Sequence, residues 1–155
     1  MKQLDSHHRR LALGILARAR DLTLASRRHD GAPHATTISF ASDELVMYAA
    51  IGIDSQKAHN IRDDARVALT VNAPYQDWNQ IQGLSIDGMA EIVSDPDQVR
   101  RASELLLARF PQYAQLIADT DTVPWPGLLY IRIVPHNVSV LDYTAGFGHV
   151  RHFTL

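Results

Sequence analysis

Residues 34–50, HATTISFASDELVMYAA, decide the fold class. His34–Ala41 is β-branched and aromatic, with Thr36, Ile38 and Phe40 on one face, and Glu44–Ala50 is a second strand. Ser42-Asp43 supplies the turn between them. Working outward, Leu22–Ser26 (LTLAS) reads as a strand too, joined to His34–Ala41 by a hairpin turn within Arg28–Pro33 that contains Asp30-Gly31. Downstream, Arg66–Asn72 (RVALTVN) is a further strand. Ile81–Val93 is a long one whose Gly83 and Gly88 signal bulges or bends. Leu128–Val134 and Val138–Tyr143 read as a strand pair broken by Pro135. Strands joined mostly by hairpins do not build a doubly wound parallel sheet, which needs a helical crossover between successive strands. The pattern gives an α+β antiparallel barrel of six or seven strands.

Two or three helices flank it. Asp95 is an N-cap, Pro96 takes the first helical position and Gln98 closes the box, after which Val99, Ala102, Leu105 and Leu106 form one apolar face. Pro111 interrupts this helix, and Tyr113–Ile117 adds a short one. Ser55–Asp63 is short and helical. At the N-terminus, His7–Arg10, Leu11–Leu16 and Ala17-Arg18-Ala19 imitate a signal peptide, but Arg18 and Arg20 fall where a cleavage region is uncharged. Leu11, Ile15 and Ala19 recur at helical spacing with Ser6 available as N-cap, so the segment reads as an amphipathic first helix.

The 155 residues fit a single domain, 1–155, with 1–9 and 145–155 as terminal segments. Hydrophobic residues at 46% and charged residues at 21% are a globular balance. A net charge of −2 provides no overall field for nucleic acid or acidic lipid, so a bound anion needs a local site. The absence of cysteine excludes disulfides, thiolate metal sites and Cys nucleophiles, and suits a cytoplasmic location. No apolar run approaches the ~20 residues of a membrane span.

Chemistry concentrates in Asp54-Ser55-Gln56-Lys57-Ala58-His59-Asn60-Ile61. A Ser N-cap leaves helix-start N–H groups pointing outward, and with the helix dipole these attract an anion. Lys57 stands in the first turn, where a cation is unfavourable to the dipole unless an anion lies there. The same residues also fit a capped surface helix with Lys57 and His59 solvated. His7-His8, and His149 with His152, read as solvated and not as a zinc site. Asp63 and Asp64 read as a solvated helix end, and Trp78 and Trp125 as loop aromatics for an interface or a cofactor. No Gly-rich nucleotide loop, HExxH or GxSxG motif occurs, and no acid or base stands out as catalytic.

Gly31-x-Pro33, the two strands of residues 34–50, Ser55-Gln56-Lys57-Ala58-His59-Asn60-Ile61 and Asp64–Leu69, continuing through Gln82–Val93, resemble the pyridoxamine 5′-phosphate oxidase-like family of FMN-binding split β-barrels. The resemblance implies FMN as cofactor, flavin-mediated oxidoreductase chemistry and a homodimer with the cofactor at its interface. Carried over by position, Ser55 and Lys57 match the phosphate-binding element, with Gln56 in place of an arginine and Asn60 in the same motif. Thr36, Thr37, Ile38 and Ser39 match the strand along the flavin ring, Tyr48 and Ala49 the next strand, and Gln82 a position that reaches the flavin from the second subunit. Thr36 also replaces an arginine near the phosphate, and the C-terminal Arg-x-His substrate element is not apparent, so the substrate is unassigned. The related alternatives are a deazaflavin in place of FMN, and haem, since Gly146-Phe147-Gly148-His149 resembles the end of the haem-utilisation branch of these barrels.

Overall fold

The structure is a computed structural model describing residues 1–117 and 126–155. Trp125, and most of the Pro-rich loop expected around it, lies outside the described residues. In chain order the elements are β1 (Lys2–Gln3), α1 (Ser6–Arg18), β2 (Asp21–Arg27), β3 (Pro33–Ser39), β4 (Ala41–Asp43), β5 (Val46–Gly52), α2 (Gln56–Asp63), β6 (Arg66–Asn72), β7 (Gln82–Ile92), α3 (Pro96–Arg109), α4 (Tyr113–Ile117), β8 (Leu128–Asp142) and β9 (Val150–Thr154). Short 3₁₀ turns occupy Trp78–Gln80 and Tyr143–Ala145. No helix among the described residues is long and apolar enough to cross a membrane.

Among the described residues nine strands form one sheet in the order β1-β9-β8-β7-β6-β2-β3, with β5 added to β8 and β4 to β5. Every pairing is antiparallel except that of β1 with β9. β3 runs close to β5 but shares no ladder with it, so the barrel stays open there. This is a split barrel, and its α+β class is that read from the alternating runs.

The extra strands come from stretches that carry little pattern. β4 occupies Ala41–Asp43, where a turn is expected; the reversal instead falls on Glu44-Leu45, with Glu44 at φ 53°. β9 forms within the C-terminal segment because the turn through Gly146 and Gly148, both at positive φ, folds the tail back onto β8. The helix start also differs by one residue: Asp5, not Ser6, is the N-cap of α1, accepting the His8 N–H at 2.9 Å. Asp95 caps α3 as expected by accepting the Gln98 N–H.

Pro135 does not split β8. The strand is continuous for 15 residues and pairs with β7 from Ile131 to Asp142, with one register shift at Asp87/Gly88 that sets Gly88 opposite Pro135. A proline inside a strand is tolerated at a bulge, where its missing N–H removes no ladder bond. Gly88 is required there, because a Cβ would run into the Val134 carbonyl oxygen.

The core has two parts. Leu22 and Leu24 of β2, Val67, Leu69 and Val71 of β6, and Leu84 and Ile86 of β7 alternate inward, and α1 covers them with Ala12, Ile15 and Leu16. On the other side of β5, Tyr48 and Tyr130 pack with Ala102 and Leu106 of α3. The two glycine environments make a prediction. Gly88→Ala should destabilise the fold by about 1–3 kcal/mol through the forced contact. Gly14→Ala, in mid-helix with open space around it, should be neutral or stabilise by up to ~1 kcal/mol. Urea unfolding of the two variants checks both.

Candidate functional site

The start of α2 is the centre of the site. Ser55 is the N-cap: its hydroxyl donates to the Gly52 carbonyl at 2.7 Å and accepts the Ala58 N–H at 3.3 Å. With its single proton committed to Gly52, Ser55 shapes the helix start more than it offers a donor. Gln56 follows, exposed, and its Nε2 donates to Asn60 Oδ1 at 2.8 Å across one helical turn. Lys57 is half-buried and forms no ion pair among the described residues.

Asn60 ties this turn to the sheet. It is 1% exposed, and its Nδ2 donates to Ser26 Oγ of β2 at 3.0 Å. A buried amide with both ends bonded fixes α2 against β2. Ser26 lies directly opposite His34 in the β2–β3 ladder, and Thr36 is two residues further along the same face of β3. His34 Nδ1 and Thr36 Oγ1 are both buried without a hydrogen-bond partner. Each such group costs roughly 1–3 kcal/mol while it stays unpaired. Both lie on the strand face that Asn60 of α2 reaches through Ser26.

The sequence-derived residues do not all meet there. Thr36 and Ile38 turn inward on β3, whereas Thr37 and Ser39 face outward and are exposed, so these four cannot line one surface with their side chains. Tyr48 is buried in the α3 cluster and Ala49 in the main core, which leaves only backbone from β5 for a ligand. The cavity nearest these strands, about 280 Å³, is bounded by Ser39, Ala50, Leu106, Phe110, Tyr113 and Leu128. Tyr113 donates its hydroxyl to that of Tyr130, and burial together with this bond raises its pKa above the ordinary phenol value.

Gln82 belongs to a different cluster at the opposite end of β7 from the α2 connection. Its Oε1 accepts from Arg18 Nη2 at 2.6 Å, and its Nε2 donates to Asp142 Oδ1 at 3.0 Å. Burial opposes the charge on Asp142, but hydrogen bonds from Thr144 and Gln82 outweigh it and hold the carboxyl below its ordinary value. Beside it, Trp78 stacks on Phe147 at 4.7 Å, with Tyr143 edge-on to both. Trp78 and Phe147 remain 57% and 73% exposed. His149 sits within this turn, its N–H donating to the Gly146 carbonyl. His8 contacts Asp5, and His152 contacts Ser139.

His34 and Ser26 escaped sequence reasoning. The alternation that puts Thr36 inward also puts His34 inward, but only the hairpin register sets His34 against Ser26, and only the packing of α2 brings Asn60 to Ser26.

With its antiparallel sheet left open at the β3–β5 seam, the molecule falls in the class of split-barrel proteins. A family model for pyridoxamine 5′-phosphate oxidase matches residues 12–139, and the chain belongs to that family. A curated relative from Halorhodospira halophila, described as an uncharacterized oxidoreductase in pyp 5′region, is 31% identical over 110 residues, covering 64% of this chain and 47% of that protein. The chain thus spans about half the length of that relative. Among solved structures, the heme binding protein from Mycobacterium smegmatis has a TM-score of 0.79 at 17% identity, covering 97% of this chain and 59% of that chain. A conserved hypothetical protein from Mycobacterium tuberculosis has a TM-score of 0.75 at 24% identity, covering 96% and 95%. Both structural likenesses establish the fold.

The far end of α2 makes a pH prediction. Asp64, its C-cap, accepts hydrogen bonds from Arg66 at 2.7 and 2.9 Å and from Arg27 at 3.0 and 3.2 Å. Those from the Arg66 side chain and backbone, then Arg27, hold the carboxyl well below the usual carboxylate range. A depressed folded-state pKa contributes stability above the unfolded value of 3.8 that is lost as pH falls below it. Asp64→Asn should therefore flatten the fall of thermal midpoint from about pH 4 to about pH 2, as measured by circular dichroism melts.

Proposed function

We propose that this chain is a homodimeric FMN-binding oxidoreductase, with the flavin phosphate seated between the start of α2 and β3. The observation that carries this reading is the pair of buried, unpartnered polar atoms, His34 Nδ1 and Thr36 Oγ1, on the face of β3 whose ladder neighbour Ser26 binds Asn60 of α2, the helix that carries Lys57. This set suits a phosphate. Lys57 supplies the positive charge, the first N–H groups of α2 donate along the helix dipole, and Thr36 Oγ1 and a protonated His34 Nδ1 add donors. Gln56 is held by Asn60 and serves as a positioned neutral partner. Ser55 keeps the helix start in place through Gly52 and Ala58.

When bound, FMN carries hydride or single electrons on its own ring system. The chain's part is to bind, orient and exclude water. Backbone groups of β3 and β5 border the open seam and are available to the ring, while the buried Ala49 and Tyr48 keep β5 rigid behind it. Gln82, oriented by Arg18 and Asp142, is the side chain proposed to reach a second subunit's flavin. The exposed Trp78–Phe147 stack offers apolar surface for a two-fold interface. The substrate is a small molecule of unassigned identity, and a cytoplasmic setting fits the cysteine-free sequence.

Two measurements test this. The purified chain should be yellow and sediment as a dimer; a Soret band would assign haem instead, and a released deazaflavin identified by mass would replace FMN. Lys57→Ala should weaken FMN by about 1.5–3 kcal/mol, the range for a charged hydrogen bond, while riboflavin binding stays nearly unchanged. Equal losses for both ligands would remove Lys57 from the phosphate seat.

A further inference from the structure

The ends of α1 and α3 converge with the start of β2 on a cleft of about 500 Å³ lined by Ala17, Arg18, Arg20, Pro74 and Arg109. Three of these five side chains are guanidinium groups. Among the described residues none of the three forms an ion pair, although Arg9, Arg27, Arg66, Arg100, Arg101 and Arg132 each meet a carboxylate. In a chain of net charge −2, unneutralised positive charge collects in one concavity.

Two of the three are held in place by neutral partners. Arg109 Nη2 donates to the Leu16 carbonyl at 2.9 Å, and its guanidinium lies 4.8 Å over the Phe40 ring. Arg18 Nε donates to the Gly14 carbonyl at 3.1 Å, and its Nη2 donates to Gln82 Oε1 at 2.6 Å. Such contacts orient a guanidinium without cancelling its charge. Burial of Arg109, and after it the nearby charge of Arg20, press its pKa below the ordinary arginine value. Arg18 and Arg109 each end a helix, where a cation is favoured by the dipole. That accounts for one arginine at each helix end. It does not account for both ends meeting Arg20 around a shared cleft.

We propose that this cleft binds the phosphoryl group of a small soluble molecule, gripped by Arg18, Arg20 and Arg109. Guanidinium forks match oxyanion geometry, and three of them exceed what a monocarboxylate would neutralise. The site shares no residue with the start of α2 and does not rest on the flavin proposal.

Titration calorimetry with inorganic pyrophosphate at low salt, on the full chain as purified, tests it. Arg20 is the informative position because it is exposed and makes no side-chain hydrogen bond among the described residues, so Arg20→Gln leaves the fold intact. The expected result is one saturable site per chain that Arg20→Gln and Arg18→Gln each weaken at least fivefold, with Lys57→Gln unchanged. Absence of saturable binding, or unchanged affinity in Arg20→Gln, overturns the proposal. So does loss in Lys57→Gln alone, which would place the anion at α2. Succinate binding as tightly as pyrophosphate would overturn the phosphoryl assignment. Binding confined to phosphatidic acid vesicles would overturn the small-molecule one.

Discussion

The meeting of Gly88 and Pro135 is the constraint on which the rest of the sheet depends. β8 holds β7 along one edge, but its other edge is divided: β5 takes Leu128–Ile133 and β9 takes Asn137–Leu141. Pro135 falls at the change of partner, where no N–H is needed, and Gly88 lets the β7 backbone approach closely enough to absorb the register shift. This single junction lets one 15-residue strand serve both halves of the barrel. A side chain at residue 88, or a donor-requiring ladder bond at residue 135, would push the two halves apart.

With the halves arranged so, β3 and β5 are left side by side without a ladder, and α2 becomes the element that fixes the seam. α2 is anchored twice: Asn60 in its middle binds Ser26 from inside, and its C-cap Asp64 gathers Arg27 and Arg66 from β2 and β6 at the surface. The position of Lys57 relative to β3 therefore follows from two independent attachments to β2. This is how a fold can hold a side chain still without a long-range contact of its own.

A strand face with two unsatisfied buried atoms costs stability that a purely structural core would not leave uncollected. Removing the polar groups, as valine for Thr36 would, relieves that cost in the empty protein. The polar identities persist in a strand whose other inward residues, Ile38 and then Phe40 just beyond it, are plainly apolar. Such local violations of the burial rule are expected at functional sites.

How much was legible in the sequence divides along local and non-local lines. Period-two runs give β2, β3, β5, β6 and β7, and the Asp95-Pro96 start gives α3, because alternation and capping act between near neighbours. The Ser55–Asn60 helix start is legible for the same reason. β4 and β9 are not, since three residues beside a positive-φ Glu44 and five residues after two glycines form strands only when β5 and β8 offer an edge. The continuity of β8 through Pro135 depends on Gly88, far away in sequence. The sequence by itself determined the strand-rich barrel, the capped helix start and the family. Tertiary structure alone decided that His34 lies opposite a Ser26 bound to Asn60, that Gln82 answers to Arg18 and Asp142, and that three arginines share a cleft. Those groupings are set by ladder register and helix packing, neither of which is encoded in any one stretch of chain.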